Sequence, residues 1–252
     1  MPENSCAEAA EPKLVFPLGR GSRGKSFLVR WLAERAHIQG RPIVVGDADR
    51  TNASLSAFFD QVVTPPSADD RDVRAWLQQF VEQQIDKKFS AIIDMGGGDM
   101  ILKQIAREFD LVDFLVSNGI TPVVLHLIGP DRDDLSYLRD VEHDALLAPK
   151  CTALVLNEAT VPAHRTASNA FEGEIRGQLP FVEAVKRGAV PLRMPRLEPA
   201  GEIDSHRLTF SEAEDGRNKA GQQVLGPWKR QQVAVWRRSM EACFSPIAMW
   251  LP

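Results

Sequence analysis

"GRGSRGKS" (19–26) follows the apolar run "KLVFPL" (13–18) and precedes "FLVRWLAERA" (27–36). The spacing is Gly19-x-x-x-x-Gly24-Lys25-Ser26. Glycines at those places let backbone N–H groups converge on phosphate oxygens with no Cβ in the way. A helix starting at Lys25 would turn its positive end toward the same anion. Lys25 then suits the β- and γ-phosphates, and Ser26 suits Mg²⁺. A strand before and a helix after are the context this loop requires, and both are legible. The repeat of Phe27, Leu28, Trp31, Leu32 and Ala36 has helical spacing.

Outward from the loop, short apolar runs alternate with helical patterns. Strands are expected at 42–49, 90–99, 121–128 and 151–157, and helices at 25–38, 69–88, 100–118 and about 131–146. Continuous apolar strands alternating with helices predict a three-layer α/β/α fold with a mostly parallel sheet covered on both faces. Beyond Glu158 the pattern thins. Residues 189–221 read mostly as loop, with short helices around 170–187 and an amphipathic helix at 227–244. We read residues 1–12 as a disordered lead-in and 13–252 as one domain.

Acids close two of the expected strands, in "VVGDADRTNASLS" (44–56) and "AIIDMGGGD" (91–99). Ligands of open parallel sheets sit beyond the carboxyl ends of the strands. Asp47, Asp49 and Asp94 would therefore meet the phosphate loop. Carboxylates beside a triphosphate imply an intervening divalent cation. Asp94 suits direct or water-mediated metal holding. One of Asp47 and Asp49 could orient the attacking water; the plainer reading of Asp49 is a cap or turn residue before the following segment.

Composition sets the bounds. The chain has 252 residues, 44% apolar and 25% charged, with a net charge of −4. That charge argues against a whole-molecule nucleic-acid binder and leaves room only for a local patch. The cysteines, Cys6, Cys151 and Cys243, are few and scattered, which suits a reducing compartment without a disulfide framework. The start has neither a cationic region nor an apolar run, so a cytoplasmic location is expected. His37, His126, His143, His164 and His206 have no metal-ligand spacing, and His126 and Cys151 read as packed strand residues.

Four blocks in order, "GRGSRGKS", "VVGDADRTNASLS", "AIIDMGGGD" and "VLNEA", resemble the ParA/MinD family of deviant-Walker P-loop ATPases, of the SIMIBI class. The match covers roughly residues 13–157. "MPRL" (194–197) resembles the family's loop near adenine. The sparse second and third blocks look closest to the plasmid conjugal-transfer branch, with plasmid partition as the neighbouring role. The resemblance implies an ATPase that cycles between monomer and nucleotide-sandwich homodimer and is read by a protein partner. It implies Mg-ATP contacts from Gly19, Gly21, Ser22, Arg23, Gly24, Lys25, Ser26 and Phe27, with Asn157 on the base. The implied metal set is Ser26, Asp47 and Asp94, and the implied catalytic set is Lys25, Asp49 and Arg20. The family carries a signature lysine directly after the first glycine, where this chain has Arg20. Arg20 either crosses a dimer interface to the partner's nucleotide, bidentately, or only decorates the loop.

Two other classes stay open. A small-acceptor kinase would need an arginine-rich lid, for which 165–178 offers Arg165 and Arg176. A nucleotide-holding adaptor would bind without turnover. ATP is favoured over GTP because "EAT" follows Asn157 where a guanine reader has K-x-D. The helix at 227–244 carries Lys229, Arg230, Arg237 and Arg238 with Trp228 and Trp236. It could serve non-specific DNA, a membrane surface or a partner. The plainer expectation is a docked helix, Trp inward and cations outward. The run "DRDDLSYLRD" (131–140) is read as a solvated helix start.

Overall fold

Strand β1 (Lys13–Leu18) lies in the middle of a seven-stranded, wholly parallel sheet. The computed structural model describes residues 11–49, 55–96, 100–142 and 147–252. Most of the expected lead-in, Cys6, residues 50–54 after the second acidic strand, residues 97–99 of the glycine run, and His143 lie outside the described residues. The expected three-layer α/β/α architecture is what the chain forms.

In chain order the remaining strands are β2 (Ile43–Asp47), β3 (Val62–Val63), β4 (Ser90–Asp94), β5 (Thr121–Ile128), β6 (Cys151–Asn157) and β7 (Val190–Met194). The helices are α1 (Lys25–Ile38), α2 (Asp70–Lys87), α3 (Met100–Phe109), α4 (Leu111–Ser117), α5 (Arg132–Glu142), α6 (Ala167–Glu174), α7 (Leu179–Lys186), α8 (Ala200–Ser205), α9 (Phe210–Asp215) and α10 (Pro227–Phe244). The sheet order is β3-β2-β4-β1-β5-β6-β7. The order reverses at β1, which has β4 on one side and β5 on the other. The crevice beyond its carboxyl end is where such sheets take ligands.

Alternation along β1 divides the core. Val15 belongs to one cluster with Leu28 and Leu32 of α1 and Val233 and Met240 of α10. Leu14 and Phe16 belong to a second, with Val73 and Leu77 of α2 and Ile101 of α3. Each is fully or almost fully buried. A side chain the size of Phe16 contributes about 2–3 kcal/mol on burial. A third cluster joins β5 and β6 to α5, α6 and α7.

Three expectations need correction. The single helix at 100–118 is two, broken at Asp110 in left-handed backbone (φ 45°, ψ 53°), a conformation Asp tolerates better than most residues. The break re-phases the apolar stripe. Ile105 and Ala106 are buried, Phe109 is exposed, and Leu111 and Leu115 are buried again. Second, residues 189–221 are not mostly loop. They hold β7, α8 and α9, elements too short to show periodicity but anchored by buried Leu192, Met194, Ile203 and Phe210. Helix α9 opens with a capping box, Thr209 and Glu212, a signature the sequence does carry. The two-residue β3 was also missed. Third, the strands expected at 42–49 and 90–99 end earlier, β2 at Asp47 and β4 at Asp94.

Candidate functional site

The loop after β1 is shaped by steric limits at its two outer glycines. Gly19 has φ 147°, and a Cβ there would lie 2.6 Å from the Leu127 carbonyl oxygen of β5. Gly24 has φ 87°, and its Cβ would lie 2.6 Å from Asn157 Nδ2. Only glycine fits either place. Between them Ser22 adopts φ 61°, and Gly21 faces open space. Lys25, the first residue of α1, is 6% exposed. Its Nζ donates to the carbonyls of Gly19 (3.3 Å) and Arg20 (3.2 Å). The amine thus closes the loop's ring. Burial pulls its pKa down, and the charges of Asp94 and Asp49 partly offset this.

One residue on, the Ser26 hydroxyl donates to Asp94 Oδ2 at 2.6 Å. Asp94 is fully buried at the tip of β4. Burial raises its carboxyl pKa, while the Ser26 hydroxyl and the Gly96 N–H act the other way. A glycine loop, a lysine folded over it, and a serine joined to the acid of the adjacent strand are now in one place. The fold is that of the P-loop nucleotide-binding proteins.

No protein-family profile matches the sequence, and no curated protein matches it. Solved structures of similar architecture include chloroplast FtsY from Physcomitrella patens, at 16% identity and a TM-score of 0.47, over 74% of this chain and 59% of that one. The signal recognition particle receptor FtsY from Elizabethkingia anophelis is 14% identical, over 93% of this chain and 68% of its own, with a TM-score of 0.47. Cell division protein FtsY from Thermotoga maritima is 14% identical over 75% and 64%, also at 0.47. The chain therefore spans under two thirds of the length of the first and third of these structures.

The other expected site residues fall into place unevenly around the P-loop. Asp47, the Cα partner of Asp94 in the sheet, is 2% exposed. Its oxygens accept the backbone N–H groups of Asp49 (3.1 Å) and Leu55 (3.1 Å). In this arrangement Asp47 ties off the loop that carries Asp49. Burial pushes its pKa up to about 6 against the pull of those two N–H groups. Asp49 is half-buried and lies against Gly96, where a φ of 78° disfavours any side chain and a Cβ would sit a tight 3.0 Å from the Asp49 carboxylate. The acid expected to handle water is therefore wedged between the loops that follow β2 and β4.

Phe27 is also reassigned. Its ring stacks edge-on to Phe210 (5.1 Å) and Trp236 (5.5 Å), so its side chain belongs to the core and only its backbone can face a nucleotide. Asn157 sits at the tip of β6, 2% exposed. Its Nδ2 donates to the Arg23 carbonyl at 2.8 Å, and its Oδ1 accepts the Ala159 N–H at 3.0 Å. Each end of the amide thus helps to hold the P-loop and the turn after β6, and a second N–H and a second oxygen lone pair remain for a base.

The residues that sequence reasoning missed lie in the run read as a solvated helix start. Asp134 of α5 is 3% exposed. It accepts Arg23 Nε at 2.8 Å and the Gly129 N–H at 2.8 Å. Asp131 accepts Arg23 Nη2 at 2.5 Å. Arg20 Nη1 lies 3.4 Å from Asp133 and 3.9 Å from Asp134. Both P-loop arginines are paired within their own chain. The sequence signals were two separate ones, two arginines in the loop at 19–26 and an acid-rich run at 131–134, with nothing to join them.

Helix α10 docks as the plainer expectation held. Trp236 turns inward and donates its indole N–H to the Pro195 carbonyl. Lys229 pairs with Glu202, and Arg237 with Glu214. Trp228 departs from that expectation, being 80% exposed. Among the described residues no helix is long and apolar enough to cross a membrane.

Proposed function

We propose that this chain binds ATP with magnesium in the P-loop, hydrolyses it with water, and acts as a switch whose state a protein partner reads. The observation that carries the reading is the Ser26–Asp94 hydrogen bond at 2.6 Å, set beside a buried Lys25 that already closes the loop. A hydroxyl and a carboxylate are the oxygen donors magnesium prefers, so Ser26 and Asp94 fit the metal and would hold it. When bound, the ion neutralises charge on the phosphates and orients them.

The chain's own groups do the rest. The loop amides and the start of α1 bind the phosphate tail. Lys25 exchanges its carbonyl partners for phosphate oxygens, a trade that favours the charged amine in a buried site. Asp49, steadied through Asp47 and wedged against Gly96, orients the attacking water. Because its loop and the loop after β4 touch, the presence of the terminal phosphate could be felt by both. Following the ParA/MinD resemblance, two copies face each other across their P-loops. For that, Arg20 must leave Asp133 and Asp134 and reach the partner's phosphates.

Isothermal titration of the pure, folded chain with Mg-ATP, Mg-ADP and Mg-GTP tests the reading. Magnesium-dependent uptake of ATP, lost in Lys25→Ala, is the expected result. No magnesium-dependent uptake of any nucleotide would overturn it. Phosphate release then separates a hydrolase from a holding adaptor. A small-acceptor kinase has little support, since Arg165 and Arg176 are paired with Glu174 (3.9 Å) and Glu172 (3.4 Å).

A further inference from the structure

The last variable residue of the P-loop, Arg23, is fastened from two sides. Its guanidinium meets Asp134 (2.8 Å) and Asp131 (2.5 Å) at the corner between β5 and α5. Its carbonyl accepts Asn157 Nδ2 at 2.8 Å from the tip of β6. The other oxygen of Asp134 accepts the Gly129 N–H at 2.8 Å. Packing at that corner is tight. A Cβ on Gly129 would lie 2.8 Å from Asp134 Oδ2, 3.0 Å from Thr160 Oγ1 and 3.1 Å from Arg23 Nε. The Thr160 hydroxyl in turn donates to the Asn157 carbonyl at 2.7 Å. A buried carboxylate that neutralises one arginine and caps one amide is costly to leave half-satisfied, so these partners hold one geometry.

We propose that Asp134 is a positioning residue of the nucleotide site. Through Arg23 and the Gly129 amide it sets the P-loop against the tips of β5 and β6, and Arg23 is a tie rather than a phosphate ligand. The inference rests on the reading that the P-loop binds nucleotide. It adds a contact that the P-loop pattern does not contain, since that pattern leaves the residue before Gly24 open.

The experiment is a double-mutant cycle read by calorimetric titration with Mg-ATP and Mg-ADP. Asp134→Asn, Arg23→Gln and the double variant are compared at a temperature below each one's melting transition. Asp134→Asn keeps an acceptor for the Gly129 N–H, so the fold has a route to survive. A misplaced loop should raise Kd about tenfold in each single variant, for ATP and ADP alike, and the double variant should be no worse than either, as residues acting as one unit are non-additive. Arg23→Lys, which keeps a cation for Asp134, should stay within about threefold of the wild type. The inference is overturned if Arg23→Gln weakens ATP while Asp134→Asn leaves or tightens it, because Arg23 is then a ligand. It is also overturned if melting temperatures fall but Kd moves less than about twofold, because the contact is then structural only. A wild-type chain that takes up neither nucleotide removes this inference together with the functional reading, whereas normal wild-type binding with unchanged variants removes this inference alone.

Discussion

The Ser26 hydroxyl donates to Asp94 at 2.6 Å, joining the first turn of α1 to the tip of β4. Asp94 is fully buried, and burial works against its charge. Asn keeps the shape and one acceptor, for the Gly96 N–H, and its NH2 can donate to the Ser26 oxygen once that hydroxyl turns, while the charge is removed. Asp94→Asn should therefore melt at the wild-type temperature or above it, by up to about 1 kcal/mol of added stability. Its hydrolysis rate should fall at least about 100-fold, because the charge that would hold the metal is gone. Thermal melts alongside phosphate release check both halves, and an active Asp94→Asn would dismiss its metal role.

The glycines make a graded series. Gly19→Ala drives a methyl to within 2.6 Å of the Leu127 backbone oxygen, which cannot swing aside. Gly24→Ala strikes the Asn157 amide at the same distance, and that side chain can turn only by giving up its Arg23 contact. Gly21→Ala meets nothing within 4 Å. Destabilisation of about 3 kcal/mol or more, about 2 kcal/mol, and under about 0.5 kcal/mol is expected in that order. Denaturant titration gives the ranking, and equal losses at all three would contradict it.

Arg20 separates stability from assembly. Its pair with Asp133 is exposed on both sides, at 41% and 77%, and such pairs contribute about 0–1 kcal/mol. Arg20→Ala should leave the melting temperature nearly unchanged. If Arg20 acts on a partner's nucleotide, the same variant should lose the mass increase seen with a non-hydrolysable ATP analogue. Light scattering at matched concentrations reads this, and a variant that still dimerises would assign Arg20 to the loop surface only.

His126 gives a pH signature. It is 1% exposed in β5, and burial pulls its pKa down to about 3 from 6.5. The unfolded chain then binds a proton that the folded chain refuses between those values. Stability from this group is complete above pH 6.5 and is lost as pH falls toward 3, by about 2 kcal/mol at pH 5. Asp47, with a pKa raised to about 6, acts oppositely, since its folded form takes up a proton as pH falls through 6. The measurable quantity is thus a difference. His126→Leu should lose about 2 kcal/mol less than wild type between pH 7 and pH 5 in denaturant titrations. Parallel pH profiles would refute the assignment.

Much of the frame was legible because its causes are local. The spacing of Gly19, Gly24, Lys25 and Ser26 fixes a loop between strand and helix, and the apolar runs around β1, β4, β5 and β6 are long enough to show a buried parallel sheet. The acids at 47, 49 and 94 stood out because strand ends are where ligands go. Helix α9 carries its capping box in the sequence, but six residues inside a stretch rich in Pro and Gly show no periodicity.

What the chain decided only on folding concerns partners far apart in sequence. Arg23 finds Asp134 across 111 positions and Asn157 across 134, and no periodicity encodes such a meeting. Asp47 stood out as an acid at a strand end, but only the folded chain sets the N–H groups of Asp49 and Leu55 against its two oxygens. Strand β7 and helix α8 hold their shape because buried Leu192 and Ile203 find places in the core, not because short segments favour it alone. Local steric rules and hydrophobic periodicity are written residue by residue. Which charged side chain answers which is settled by the sheet order, which brings the tips of β1, β4, β5 and β6 to one end.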